Sequence, residues 1–298
     1  MDMTRRNQMD LAINLGYIMG GRAADKKRSL ETAARMCREG GIRYVDYISN
    51  YAADNWEEQA HYAREILDRE GLIVEQSHAP YNRYGVYASN EEFLEMLHRS
   101  FVSAKILGSK HVVVHADEYH VTDHWDVREI IEFTYNYLAP EAEYCAANGM
   151  NLAIENVFED GSKRHPPFDG KSRFCSRIDE HVGIIERFNA PCVRACWDFG
   201  HASCAYEHEG MTDALRAVGK YLVCTHVHDN NKRNDQHLMP YMGETCWQEQ
   251  MRCLKDIGYQ GKLSYEFVYG NIPDDMVPTW MKLLGEVGSK LIDIFDAE

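Results

Sequence analysis

Short apolar runs followed by longer stretches of helical periodicity recur along the chain. "LAINLGY" at 11–17 precedes a helical pattern over 29–39, and "RYVDYI" at 43–48 precedes one over 55–69. "LIVEQSHA" at 72–79 leads to 90–107, "HVVVHA" at 111–116 to 127–147, and "NLAIENV" at 151–157, through a loop, to 177–188. "VRACWDFGH" at 193–201 is followed by a short pattern at 212–218, "YLVCTHVHD" at 221–229 by 247–257, and "KLSYEFV" at 262–268 by 274–295. Apolar rather than alternating runs are what strands covered on both faces look like, and helices between them imply parallel pairing. Eight such units predict an α/β fold, a (β/α)8 TIM barrel spanning 1–298 as a single domain.

A barrel of this kind gathers the C-terminal ends of its strands at one mouth, where its chemistry is carried out. Those positions are polar here: His78, His115, Glu155, Asp198 with His201, His226 and Glu266. Carboxylates together with neutral imidazoles suit a divalent ion, so the strand ends predict a centre for zinc, manganese, magnesium or cobalt. Glu155 and Glu266 carry most of this reading. Each directly follows an apolar strand, where a carboxylate without a cation would bear a large desolvation cost. A lone histidine such as His78 or His115 is more often a hydrogen-bonded structural group. His228 is assigned to the side of its strand opposite His226 and read as structural.

Two loops after strands add candidates. In "DQHLMPYMGE" (235–244), Asp235 and His237 either supply a further metal site with His201 or order the loop. In the loop after the fifth strand, Arg164, Lys171 and Arg173 suit a phosphate or carboxylate on a substrate, or merely form a solvated loop.

Composition narrows the setting. A formal charge of −15 argues against loose association with nucleic acid. No apolar run approaches the ~18 residues of a membrane span, and "MDMTRRNQMD" has no apolar core of a signal peptide. Nine cysteines without a C-x-x-C pair fit a reducing compartment. A cytoplasmic protein without disulfides is expected, acting on a small molecule and able to form a homo-oligomer.

The segments "AIEN", "CWDFGHA", "THVHDN" and "YEF" resemble the metal-binding strand ends of the xylose-isomerase-like TIM barrels. That family includes sugar isomerases and epimerases, inosose dehydratases and the second type of apurinic/apyrimidinic endonuclease. The resemblance runs over nearly the whole chain. It implies that Glu155, Asp198, His226 and Glu266 bind the catalytic divalent ion of the epimerases. In the endonuclease branch it implies that His78, His115, His201, Asp235 and His237 complete a three-zinc cluster. The leading expectation is a sugar or sugar-phosphate isomerase or epimerase with a carbohydrate substrate. Glu155 and Glu266 would transfer protons through an enediolate, and His201 would hold a hydroxyl. The endonuclease-type phosphodiesterase comes second and a dehydratase or other carbon–oxygen lyase third.

Overall fold

The computed structural model describes residues 9–20, 27–81, 90–116, 126–158, 173–206, 208–267 and 272–297. Arg164 and Lys171 lie outside them. The strands are β1 (Leu11–Asn14), β2 (Tyr44–Asp46), β3 (Ile73–His78), β4 (His111–His115), β5 (Asn151–Glu155), β6 (Val193–Asp198), β7 (Leu222–His226) and β8 (Leu263–Tyr265). They form one parallel sheet in the order β7-β6-β5-β4-β3-β2-β1-β8. Its ends meet past β7, where Val227 bridges Tyr265 and Val227 N–H donates to the Ser264 carbonyl at 2.7 Å. The result is the expected TIM barrel.

Helices α2 (Leu30–Glu39), α3 (Trp56–Glu70), α4 (Asn90–Leu107), α5 (Val127–Asn148) and α6 (Ile178–Phe188) follow the first five strands after a single turn, α1 (Leu15–Ile18). They begin where capping chemistry allows. Ser29 accepts from Thr32 N–H, and Asp126 with Glu129 forms a reciprocal capping box. Gly71 and Gly149 end α3 and α5 in the left-handed conformation that a side chain would resist.

The interval after β6 departs from the sequence reading. In place of one short helix at 212–218 there are two, α7 (Phe199–Ala205) and α8 (His208–Val218). Asp198 caps α7, accepting His201 N–H at 2.6 Å. The last two helices are α9 (Trp247–Asp256) and α10 (Val277–Asp296). Among the described residues no helix is long and apolar enough to cross a membrane, and all nine cysteines are free thiols.

Alternation survives although both strand faces are apolar. Val112, Val114, Leu152, Ile154, Ala195 and Trp197 belong to the large cluster between sheet and helices, whereas Val113, Ala153, Cys196 and Cys224 form a small cluster inside the barrel. The period of two then carries His115, Glu155, Asp198 and His226 inward, one step above that plug. Full burial of each large apolar side chain in the outer layer contributes ~1.5–3 kcal/mol, so this interface is what holds the mouth rigid.

Candidate metal centre

Glu155 sits at the centre of the mouth. Its Oε2 lies 3.1 Å from His78 Nε2 and 3.0 Å from His115 Nε2, and its Oε1 lies 2.9 Å from His226 Nδ1. His226 Nδ1 is also 3.2 Å from Glu266 Oε2 and 3.8 Å from Asp198 Oδ2. Glu155, Asp198, His226 and Glu266 each offer a donor atom within 4.8 Å of the others, and all four are buried. His78, Glu155 and His226 form an overlapping group.

A second group lies toward the loops. His201, His228, Asp235 and His237 converge within the same 4.8 Å. Here the sequence reading of His228 fails: its Nε2 is 3.0 Å from Asp198 and 3.9 Å from Asp235 Oδ1. The physical reason is simple, because a period of two returns residues i and i+2 to the same face, so His228 follows His226 into the mouth. Gly200 makes room for it. A Cβ at Gly200 would lie 1.8 Å from His228 Cε1.

The loop carrying Asp235 and His237 is built on Asp229. Its carboxylate accepts Asn230 N–H at 2.9 Å, Thr245 N–H at 3.0 Å, Tyr241 N–H at 3.1 Å and the Trp247 indole N–H at 2.9 Å. His237 is held at φ 51°, a left-handed conformation that costs a non-glycine residue ~1–3 kcal/mol. Its ring stacks on His228 with centroids 4.0 Å apart.

Arg173 also reaches the mouth, its guanidinium 4.4 Å above the Phe158 ring. The segment behind it is buried, with Cys175 N–H donating to Glu180 and Val157 N–H donating to the Cys175 carbonyl. Among the described residues, Tyr81 and Phe158 also line the mouth. Neither aromatic was singled out from the sequence. Both follow a strand within three residues, which is the only signal they leave.

The ring orientations bear on what the site can hold. His78, His201 and His237 each donate Nδ1–H to a backbone carbonyl, of Ala79 at 2.8 Å, Asn156 at 2.9 Å and Glu266 at 2.6 Å. Their Nε2 lone pairs therefore face the carboxylates, acceptor to acceptor, and such contacts need a second proton or a cation. Without a metal the network is held by protons. Burial works against ionisation at Glu155, yet the imidazoles of His226 and His115 outweigh it and hold that carboxyl well below the usual range.

The histidines shift in the complementary direction. Burial pushes His201 and His226 down, but the facing carboxylates, Asp198 and Asp235 for the first and Glu266 and Glu155 for the second, raise both well above the ordinary imidazole value. Burial likewise opposes a proton on His237, and Asp235 lifts it to about 9. In the mouth, His226 Nε2, His228 Nδ1 and Asp235 Oδ1 are among the buried atoms without a hydrogen-bond partner. Buried carboxylates and imidazoles in this arrangement are a donor set into which a divalent cation fits by displacing protons.

Residues 20–284 match the xylose isomerase-like TIM barrel family, and the chain belongs to it. An uncharacterised protein of Methanocaldococcus jannaschii is 26% identical over 239 residues, covering 74% of this chain and 77% of that protein. Among solved structures, a xylose isomerase domain protein from Alicyclobacillus acidocaldarius superposes with a TM-score of 0.73 at 22% identity, covering 97% of this chain and 100% of the other. D-psicose 3-epimerase from Clostridium cellulolyticum H10, solved with D-tagatose, gives 0.71 at 14% identity, covering 95% and 99%.

Proposed function

We propose that the chain, acting as one domain from 1 to 298, is a divalent-metal-dependent isomerase or epimerase of a sugar or sugar phosphate. The observation that carries this reading is the buried group Glu155, Asp198, His226 and Glu266 at four strand ends. Those residues would hold manganese, zinc, magnesium or cobalt. Such an ion supplies Lewis acidity toward a ketose carbonyl and its neighbouring hydroxyl.

The chain's own residues do the rest. Glu155 and Glu266 converge on the same atom, Nδ1 of His226, at 2.9 and 3.2 Å. From there one carboxylate takes a proton from the carbon beside the carbonyl and the other returns one. Return to the opposite face of that carbon gives an epimer, and return to the adjacent carbon gives an isomer. His201 holds a substrate hydroxyl through Nε2, its Nδ1–H being engaged with the Asn156 carbonyl. Tyr81 and Phe158 exclude water, and Arg173 receives an anionic group where the substrate carries one. The family match and the likeness to an enzyme that epimerises a ketose at carbon 3 support this class of reaction.

The test is solvent exchange. Protein reconstituted with each metal is incubated with ketoses, aldoses and their phosphates in deuterated water, and deuterium uptake at the carbon beside the carbonyl is expected. The second group, His201, His228, Asp235 and His237, favours a second reading, a three-zinc phosphodiesterase of the endonuclease type. Incision of abasic DNA with no sugar exchange, together with about three zinc ions per chain, would establish that reading in place of the first.

A further inference from the structure

Inside the barrel, below the mouth, lies a buried carboxylate with no part in the scheme above. Asp46 ends β2 and is 1% exposed. Its Oδ2 lies 3.3 Å from His226 Nε2, 3.3 Å from Gln76 Nε2 and 3.5 Å from Asn14 Nδ2. Gln76 also reaches the Thr225 carbonyl, at 3.4 Å. The group thus ties β1, β2 and β3 to β7 across the interior.

We infer that Asp46 is the positioning residue for His226: it accepts the ring Nε2–H and thereby aims Nδ1 at Glu155, Asp198 and Glu266. The inference rests on the reading of those residues as a metal site. Three observations on this chain carry it.

The first is the orientation of the rings. His78, His201 and His237 give Nδ1–H to a neutral carbonyl and present Nε2 to the mouth, whereas His226 presents Nδ1. Its other nitrogen therefore points down into the barrel, where the nearest acceptor is a carboxylate. A carboxylate behind a ligating imidazole fixes the tautomer and makes the facing nitrogen a stronger donor to a cation.

The second is register. β2 pairs Val45 with Val74 but Asp46 with Gln76, so Glu75 is the extra residue of a bulge. β6 pairs Ala195 with Leu222 but Cys196 with Cys224, so Val223 is the extra residue of another. The first bulge brings Asp46 level with Gln76, and the second brings Asp198 level with His226. Each re-aims inward-facing side chains in the strands that carry this contact, a use of bulges common beside active sites.

The third is the gap itself. His226 Nε2 is within reach of Asp46 Oδ2 but off the hydrogen-bond axis, so the buried nitrogen has no formed bond. A small rotation of the imidazole about Cβ–Cγ, as Nδ1 engages a cation, completes it. Leaving a buried N–H unsatisfied is unfavourable, which makes the aligned ring the favoured one.

Chelator-stripped, full-length protein is titrated with MnCl2 and with ZnCl2 by calorimetry, as wild type, Asp46→Asn and Asp46→Ala. Affinity is expected to fall ~10–100-fold in Asp46→Ala, and less in Asp46→Asn, whose amide oxygen still accepts from Nε2–H. Melting of the metal-free variants tells a lost fold from a lost ligand. If wild type takes up no stoichiometric ion, the metal reading fails and this inference with it. If wild type binds and both variants bind equally well, the role of Asp46 alone is overturned.

A measurement on the wild type decides the matter should neither variant fold. In zinc-loaded protein labelled with 15N-histidine, His226 is expected to carry its one proton on Nε2, shifted downfield by a charged acceptor and slow to exchange. A proton on Nδ1, or an Nε2–H that exchanges as freely as an exposed one, would overturn the inference.

Discussion

The two halves of the mouth are built differently. Glu155, Asp198 and His226 end strands, and Glu266 follows the last strand by one residue, so their directions are set by the sheet. His201 sits in a short helix, His228 two residues past a strand, and Asp235 and His237 in a loop that hangs on Asp229. The sheet-built half needs no left-handed residue and no missing side chain, only the bulge that brings Asp198 level with His226. The loop-built half needs a missing side chain at Gly200 and a left-handed residue at His237. Geometry inherited from a barrel rests mainly on the strands themselves, with Asp46 behind His226, whereas geometry made in loops hangs on a larger set of supporting residues. The first half takes its geometry from the sheet, and the second takes it from a few bracing contacts centred on Asp229.

The largest expected effect lies in the first half. Glu155→Gln or Glu266→Gln keeps the shape and removes a proton-accepting carboxylate, so turnover on a substrate found by deuterium exchange should fall ~10²–10⁴-fold. Asp198→Asn should instead weaken metal affinity, and excess divalent ion should restore part of the activity. Equal rescue of all three variants would make both glutamates ligands only and move the base elsewhere.

Next comes the support of the second half. Asp229→Ala leaves three backbone N–H groups and the Trp247 indole without their acceptor. At roughly 1–3 kcal/mol for each buried donor left unpaired, with water recovering part, a loss of about 3 kcal/mol or more is expected in a denaturant melt. Proteolysis should then nick 230–245 while the sheet-built group still binds one ion. Loss of that ion too would mean the halves are not separable.

Gly200→Ala is a finer cut. The added methyl overlaps the His228 ring, and relief should cost ~1–3 kcal/mol. A protein that binds more than one ion would lose the extra ones first, which elemental analysis of dialysed protein reads directly. Unchanged stability and stoichiometry would remove His228 from the site.

The last test is a control outside both halves, read only as a slope against pH. Burial, with Asp179 nearby, lifts Glu180 from the ordinary 4.5 to about 7. A carboxyl raised on folding binds its proton more tightly in the native state. This contribution is therefore greatest at and below pH 4.5 and is lost as pH rises toward 7. The slope is at most ~1.4 kcal/mol per pH unit. Glu180→Gln should flatten that part of the stability profile, and a slope identical to wild type would rule the carboxyl out.

These contrasts also mark what the chain discloses before it folds. Each strand and nearly every helix followed from apolar runs and helical spacing, because burial on both faces leaves a continuous apolar signature. Glu155, Asp198, His226 and Glu266 stood out for the same reason, as polar residues at the ends of such runs. His228 was misdirected by a miscounted alternation. Asp46 left no such mark, since it closes a three-residue strand and its meaning depends on a bulge in the neighbour, which no local pattern encodes. Asp229 and Gly200 act through partners many residues away, so their roles exist only in three dimensions.

The closure between β7 and β8 has a consequence for how tightly the molecule is held together. Elsewhere adjacent strands share ladders of several residues, but here they meet through the bridge Val227–Tyr265. His226 precedes that bridge, and Glu266, whose N–H donates to the Val227 carbonyl at 3.1 Å, closes it. An ion gripped by both side chains would therefore span the seam like a clasp. Occupancy and cooperativity then become one quantity: the native state gains RT ln(1 + [M]/Kd), and amides beside the seam gain protection from hydrogen exchange as the site fills.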